Sequence, residues 1–379
     1  MKVFPASGLP QGFQANGVAA GIKRSGKPDL ALFYSQAPAK VAAVFTSSSI
    51  KAAPLKVSQS YLSRNEYFQA LIANSGNANC FTGNAGLADA RKMSLLAARS
   101  LGIRKEAVLV ASTGIIARRM PLGKIENALP LLVEGLSAKG IGMASKAIMT
   151  TDTFPKKAHA RIKVGEQAVT IYGVAKGAGM IGPKVATMLC FLFTDANITR
   201  CALDKALKVA SDNSFNCITV DGCMSTNDMV TLFANGLAKN ALIDTGRSFK
   251  DFSRALNNVC LELARMLIRD AEGASKFITV KVSGARSVSE ARRAALAVAN
   301  SNLFKTAMFA SSSNALGRIV AAVGSSGAEV KEEKLRISLS DLNRREVEVA
   351  VFLGSGKQEA VVYTSDLTYK YVKINAEYN

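Results

Sequence analysis

AKGAGMIGPKVATMLCFLFTDA, residues 175–196, is the stretch on which the reading of this chain turns. Gly177, Gly179 and Gly182 come before Pro183, and Ala186-Thr187 then opens onto an unbroken apolar run. Glycine reaches backbone conformations that other residues avoid, so the segment can bend sharply just ahead of Thr187. Met188–Phe193 reads as a buried strand. One threonine hydroxyl therefore stands at the mouth of a rigid element, beside a peptide bond open to distortion. A threonine so placed can attack the carbonyl that precedes it, pass the acyl chain from nitrogen to oxygen and leave a new N-terminus. Thr187 would then carry a hydroxyl and an α-amine together. An α-amine titrates near pH 8 (about 7.7–8.0), so it can act as the hydroxyl's general base near neutrality.

Composition sets the frame. The chain has 379 residues, 49% hydrophobic and 20% charged, which is the make-up of a folded globular protein of one large unit or two domains. No stretch approaches the roughly 20 apolar residues of a membrane helix. MKVFPASGLPQGF lacks the basic and apolar regions of a signal peptide, so a cytoplasmic protein is expected. The six cysteines (Cys80, Cys190, Cys201, Cys217, Cys223, Cys260) form no CxxC pair and read as small buried or half-buried thiols. The single histidine, His159, rules out a metal site with several histidines within one chain. A Ser-His-Asp arrangement would have to use it, and KKAHARIKV around it reads as an exposed strand. Acyl chemistry then needs another base, and an N-terminal threonine supplies one.

The net charge of +20 is spread thinly, in short doublets such as Arg118-Arg119 and Arg344-Arg345, with 7% aromatic residues and no Trp to stack bases. That pattern describes a solvated basic surface that also steers anionic substrates; no specific nucleic-acid partner is expected.

Along the chain, strand-like runs fall at Leu30–Tyr34, Ala42–Phe45, Ala70–Ala73 and Ala107–Ala111, and Gly86–Leu101 carries helical spacing. A helix follows Thr199. A longer one starts after Ser248, where Phe252, Leu256, Val259, Leu263 and Leu267 recur every three or four residues. Ser287 with Glu290 is a capping-box signature, and period-two alternation marks strands at Phe277–Val282, Arg336–Leu339 and Glu346–Leu353. The fold class is mixed α/β. Ser112-Thr113-Gly114, after the run Val108–Ala111, reads as a strand-to-helix turn where a glycine amide can approach a ligand and Thr113 offers a hydroxyl. Lys176 by itself is a loop lysine. Glu272 follows a helix C-terminus, where the helix dipole favours cations rather than a carboxylate, which hints at a specific role.

Taken in order, the chain resembles the ornithine acetyltransferase family, the bifunctional glutamate N-acetyltransferases of arginine biosynthesis. The residues that carry the resemblance are KG-GM--P--ATML (Lys176–Leu189), GVAAGIK (Gly17–Lys23), NSGNAN (Asn74–Asn79), STG (Ser112–Gly114), TTDTFPK (Thr150–Lys156), SFN-ITVDG--STND (Ser214–Asp228), RD-EGA-KF (Arg269–Phe277) and INAEY (Ile374–Tyr378). Several segments depart from the family pattern: SSSNALGR (Ser311–Arg318) stands for the usual DPNWGR, Cys223-Met224 replaces the usual Asp-Thr, and Gly182 and Lys184-Val185 alter the approach to the cut site.

The resemblance implies a layered αββα-type sandwich of the N-terminal-nucleophile-like kind. It implies a cut between Ala186 and Thr187 that leaves residues 1–186 and 187–379 as two intertwined halves of one fold, assembled as two copies of each fragment. Thr187 would be the nucleophile, Thr113 and Gly114 the oxyanion hole, and Thr150, Lys176, Thr187, Glu272 and Asn375 the substrate-binding residues. Glu272 could hold either the cationic ornithine side chain or the Thr187 α-ammonium. The implied reaction moves acetyl from N-acetylornithine to glutamate through acetyl-Thr187, in ping-pong order. It calls for no metal or organic cofactor, and no motif separates an enzyme that also takes acetyl from acetyl-CoA from one that does not. The alternative from another class is an N-terminal-nucleophile aminopeptidase or amidohydrolase that uses water as acceptor.

Overall fold

The runs Leu30–Tyr34 and Ala42–Phe45, expected as separate strands, are one strand in the computed structural model, which describes residues 8–182 and 188–377. The chain divides into two compact units, one drawn from residues 1–177, 187–214 and 224–263, the other from 178–186, 215–223 and 264–379.

In the first unit β1 (Phe13–Val18) pairs antiparallel with β2 (Leu30–Phe45). Then come α1 (Ala53–Leu62), β3 (Tyr67–Asn77), α2 (Gly83–Leu101), β4 (Val108–Ile115), α3 (Leu122–Glu134), α4 (Ile141–Ala147), β5 (Lys156–Val164) and β6 (Gln167–Lys176). The apolar run after residue 187 becomes β7 (Leu189–Thr194), followed by α5 (Arg200–Asp212), β8 (Met229–Ala234) and α6 (Gly246–Arg269). One sheet holds these strands in the order β4-β3-β2-β8-β7-β6-β5, with β1 on β2.

β2 makes the layers. Its first part, Leu30–Tyr34, pairs with β3, and Lys40–Phe45 pairs with β8, with a register shift between Tyr34 and Ala39. Pro38 lies inside that irregular stretch, where its missing N–H costs no ladder bond. The bend brings the two halves of the sheet face to face: the Phe33 ring lies 5.3 Å from both Phe191 and Phe193, and Phe13 lies 5.3 Å from Phe193. Residues that alternate with these point the other way. Leu30, Leu32, Ile72 and Val110 pack under Val57, Met93 and Ile125 of α1, α2 and α3. On the outer face of the other half, a side chain at Gly173 of β6 would press on Val259 and Leu263 of α6. The layers run helix, sheet, sheet, helix, which is the αββα sandwich the sequence leads one to expect.

β7 sits between β6 and β8 with all six residues buried. Truncating Phe193, whose ring also stacks 5.9 Å from Phe233, should destabilise the unit by roughly 3–5 kcal/mol. Chemical denaturation of Phe193→Ala measures that.

The second unit contains β9 (Phe277–Ala285), α7 (Val288–Asn300), α8 (Asn302–Phe309), α9 (Ala315–Gly324), β10 (Arg336–Leu339), β11 (Glu346–Phe352), β12 (Gln358–Ser365) and α10 (Tyr369–Ala376). The sheet order is β10-β11-β9-β12. Ile278, Val280 and Val282 of β9 and Val347, Val349 and Val351 of β11 form one apolar face, covered by α7, α8 and α9. The expected cap is present in modified form: Ser287 Oγ accepts the Glu290 N–H, while the Glu290 carboxylate takes the N–H of Arg286 rather than that of Ser287.

Among the described residues no helix is long and apolar enough to cross a membrane.

Candidate active site

Thr113 and Gly114 do not lie in a turn as the sequence suggests. They belong to β4, where Gly114 pairs with Gly76 of β3 and the register then slips at Asn77. The glycines permit this. Gly114 sits at φ +132, and a side chain there would collide with the Gly76 carbonyl and the Asn77 nitrogen. The strand is thereby kinked at Thr113, whose side chain is 6% exposed.

Lys176 is no surface lysine either. It is the last residue of β6, 3% exposed, and its Nζ donates to Thr113 Oγ1 at 3.2 Å. Thr113 thus accepts from a cation and keeps its own O–H free to donate, and accepting from an ammonium makes it a stronger donor.

The charge that keeps Lys176 inside comes from Asp152, which the sequence reading did not single out. Asp152 Oδ1 accepts from Lys156 Nζ and from the Gly177 N–H, both at 2.7 Å, and Oδ2 accepts the Thr150 N–H at 2.9 Å. The Lys156 and Asp152 side chains are both fully shielded from solvent. Burial pushes the Asp152 carboxyl up, but Lys176, Lys156 and the hydrogen bonds outweigh it and hold the group at about 2. Lys23, of the GVAAGIK segment, joins the group: burial first, and Lys176 next among the groups that lower it, bring its ammonium down to about 8. Its Nζ donates to the carbonyls of Pro28 and Met149. Lys23, Lys156 and Lys176 thus gather near Asp152, with Asp29 also acting on Lys23 and Asp228 in the field of Lys176.

Breaking this pair has a pH signature. Because the folded-state carboxyl titrates below its ordinary value, its contribution to stability is complete above about pH 4 and is lost as pH falls toward 2. The shift corresponds to about 2 kcal/mol. Asp152→Asn should remove that acid-sensitive increment. At neutral pH it should cost about 3–5 kcal/mol by removing the charge that Asp152 sets against the buried Lys156. Denaturant titrations of both proteins at pH 7 and pH 3 give the two numbers.

Beside the start of β7, Met188 N–H donates to Asp228 Oδ1 at 3.1 Å, and the parallel register of β7 on β8 sets the two residues opposite each other. Asp228 is fully buried, and among the described residues its Oδ2 has no hydrogen-bond partner. Burial raises its pKa well above the usual carboxylate range. Ala186 and Thr187 themselves lie outside the described residues.

Glu272 and Asn375 come together in the second unit. Asn375 Nδ2, on α10, donates to Glu272 Oε2 at 2.8 Å and to the Tyr371 carbonyl at 3.1 Å. Glu272 N–H donates to the Ala178 carbonyl at 2.8 Å, and Gly179 packs so closely on the Glu272 carboxylate that a side chain there would have to displace it. Gln at 272 would preserve the Asn375 contact while removing the charge.

His159 lies half-buried on β5, and among the described residues its enclosed Nδ1 has no hydrogen-bond partner, so no described carboxylate holds that nitrogen as a Ser-His-Asp arrangement needs. Of the six free cysteines, Cys201 and Cys223 are exposed rather than buried. Among the described residues no cluster of His, Cys, Asp or Glu could hold a metal ion.

Comparison with known proteins decides the family. The ArgJ family profile matches residues 14–379. The chain belongs to the ArgJ family. A relative from Geobacter sulfurreducens named arginine biosynthesis bifunctional protein ArgJ is 44% identical, over 97% of this chain and 99% of its own length. One of the same name from Symbiobacterium thermophilum is 45% identical, over 97% of each. A crystal structure of the Mycobacterium tuberculosis ornithine acetyltransferase complexed with ornithine is 38% identical over 48% of this chain and 97% of that chain, with a TM-score of 0.44. ArgJ membership makes the chain an enzyme, as its sequence leads one to expect.

Of the residues the sequence reading missed, Asp152 and Asp228 both lie inside the quoted TTDTFPK and STND segments.

Proposed function

We propose that this ArgJ protein is a self-cleaving acetyltransferase that moves acetyl from N-acetylornithine to glutamate. The observation that carries the reading is the hydrogen bond from Lys176 to Thr113: a buried cation and a primed hydroxyl donor, joined at the end of two strands in a chain of this family. Thr187 Oγ attacks the Ala186 carbonyl, the C–N bond breaks with the proton passing to nitrogen, and water hydrolyses the resulting ester. Ala186 is left as a carboxylate and Thr187 with a free α-amine.

In turnover that amine takes the Thr187 hydroxyl proton as oxygen attacks the acetyl carbonyl of N-acetylornithine. The oxyanion is met by the Thr113 hydroxyl and the Gly114 amide, donors worth about 3–4 kcal/mol each in such a hole. The proton passes to the leaving nitrogen, ornithine departs, and acetyl-Thr187 remains. Glutamate's amine attacks it and leaves as N-acetylglutamate. Thr150 and Lys176 supply donors and positive charge for the substrate α-carboxylate, and the resemblance assigns Glu272 and Asn375 to the substrate as well. The resemblance leaves acetyl-CoA as a second acetyl donor open, and the relatives are named bifunctional. The fragments are proposed to assemble as two copies of each in the cytoplasm.

Two-substrate initial rates test the order. Double-reciprocal plots at several glutamate concentrations should be parallel; intersecting lines would contradict the ping-pong scheme. Acetate as the main product would instead identify a hydrolase that uses water as acceptor.

A further inference from the structure

Ala178–Gly182, the last described residues before the Ala186-Thr187 bond, are anchored along their backbone by groups of their own unit. The Ala178 carbonyl accepts the Glu272 N–H. The Met180 N–H donates to Asp221 Oδ2 at 2.7 Å. The Ile181 carbonyl accepts from Val220 N–H at 2.8 Å, Asp221 N–H at 3.3 Å and Thr219 Oγ1 at 3.1 Å. At Gly182 a side chain would come within 2.7 Å of the Gly222 carbonyl oxygen.

Met180 sits at φ +53, the left-handed region that a non-glycine residue occupies only when its surroundings hold it there. The holding group is Asp221. The oxygen that receives the Met180 N–H also accepts the Tyr371 hydroxyl at 3.0 Å, while Oδ1 accepts the Cys223 N–H at 3.0 Å. Burial and the neighbouring Asp221 charge both raise the Tyr371 pKa, so the hydroxyl remains a donor throughout the working pH range. None of these groups has a part in the acetyl-transfer scheme.

We propose that Asp221 and Tyr371 are positioning residues for self-cleavage: they fix Met180 in its left-handed conformation and so hold the backbone path of Ala178–Gly182, the described segment that precedes the Ala186-Thr187 bond in sequence. The proposal rests on the self-cleaving reading above. Intramolecular attack depends steeply on geometry, and a misplacement of about 1 Å can cost roughly 100-fold. Once the bond is cut, the path no longer has to be maintained for turnover. Cleavage and acetyl transfer should therefore separate.

The experiment is a pulse–chase of the full chain in cell-free translation, following loss of the uncut species in wild type, Asp221→Asn, Tyr371→Phe and Thr187→Ala. The Asn variant retains one acceptor oxygen for Met180 and the Phe variant retains the ring, so both conserve the packing. Cleavage slowed about 10- to 100-fold in both, with kcat per cleaved enzyme within about twofold of wild type, supports the proposal. Wild-type cleavage rates in both variants, with Thr187→Ala uncut, overturn it and leave the self-cleaving reading standing. Equal losses in cleavage and in kcat per cleaved enzyme also overturn it, since they mark a general structural role. A wild-type chain that stays uncut overturns the proposal and the reading beneath it together.

Discussion

Under the proposed scheme Thr187→Ala is expected to leave the chain in one piece and to lower acetyl transfer from N-acetylornithine by at least about 10⁴-fold. Both losses come from one oxygen. Without the hydroxyl nothing attacks the Ala186 carbonyl, so no α-amine is released to act as base. Without the hydroxyl there is also no atom to carry acetyl between the two substrates. Thr187→Ser separates the two roles: a hydroxyl remains, so cleavage and transfer both persist, slowed by the freer serine rotamer. Intact mass spectrometry reads cleavage, and ornithine release reads transfer. The substitution should leave the fold itself in place, because β7 is held by pairing on both edges and by the Phe191 and Phe193 rings.

Lys176→Met is expected to lower kcat/KM for N-acetylornithine by about 10²–10³-fold. Methionine keeps most of the length and apolar volume of lysine but removes the cation that contacts Thr113 and offsets the Asp152 charge. Under the proposed scheme a substrate carboxylate would then lose its cation, and the Thr113 hydroxyl would lose the donor that strengthens it. Thr113→Val alone should cost about 10²-fold, and the double variant should lose less than the product of the two effects, because the side chains are in direct contact. Additive losses would mean that the 3.2 Å contact has no part in turnover. The variant also reports on electrostatics: without Lys176 the Asp152 carboxyl moves back up toward its ordinary range, and the acid-sensitive part of stability begins to be lost at higher pH.

Local patterns in the sequence were a good guide to individual elements. The apolar stripe from Phe252 to Leu267 marks α6 to within a few residues, and Arg336–Leu339 is β10 residue for residue. Both signals are short-ranged, a period of three to four residues in one case and of two in the other. What the sequence hides is long-ranged. Leu30–Tyr34 and Ala42–Phe45 look like two strands because Ser35, Gln36 and Lys40 interrupt the apolar pattern, and only pairing with β3 and β8 shows them to be one bent strand. The same holds for the second unit, which gathers short pieces from around residues 180 and 220 with the C-terminal third of the chain.

At the site, residue identity was more legible than environment. Lys176 and Thr113 were named from their motifs, yet a loop and a turn were expected where the structure has the ends of two strands. The burial of Lys176 depends on Asp152, 24 positions away in sequence, and no local rule links the two. Asp221 was harder still: its importance lies in a backbone N–H at Met180 and a hydroxyl at Tyr371, neither of which leaves a mark on neighbouring residues.

The most direct test of the account is to incubate the purified enzyme with N-acetylornithine in the absence of glutamate, quench in acid and map the fragments by mass spectrometry. The account predicts one acetyl group on the peptide that begins at Thr187, formed with one equivalent of ornithine and discharged as N-acetylglutamate when glutamate is added. An enzyme that transfers acetyl when both substrates are present but never carries it on Thr187 would contradict the covalent mechanism.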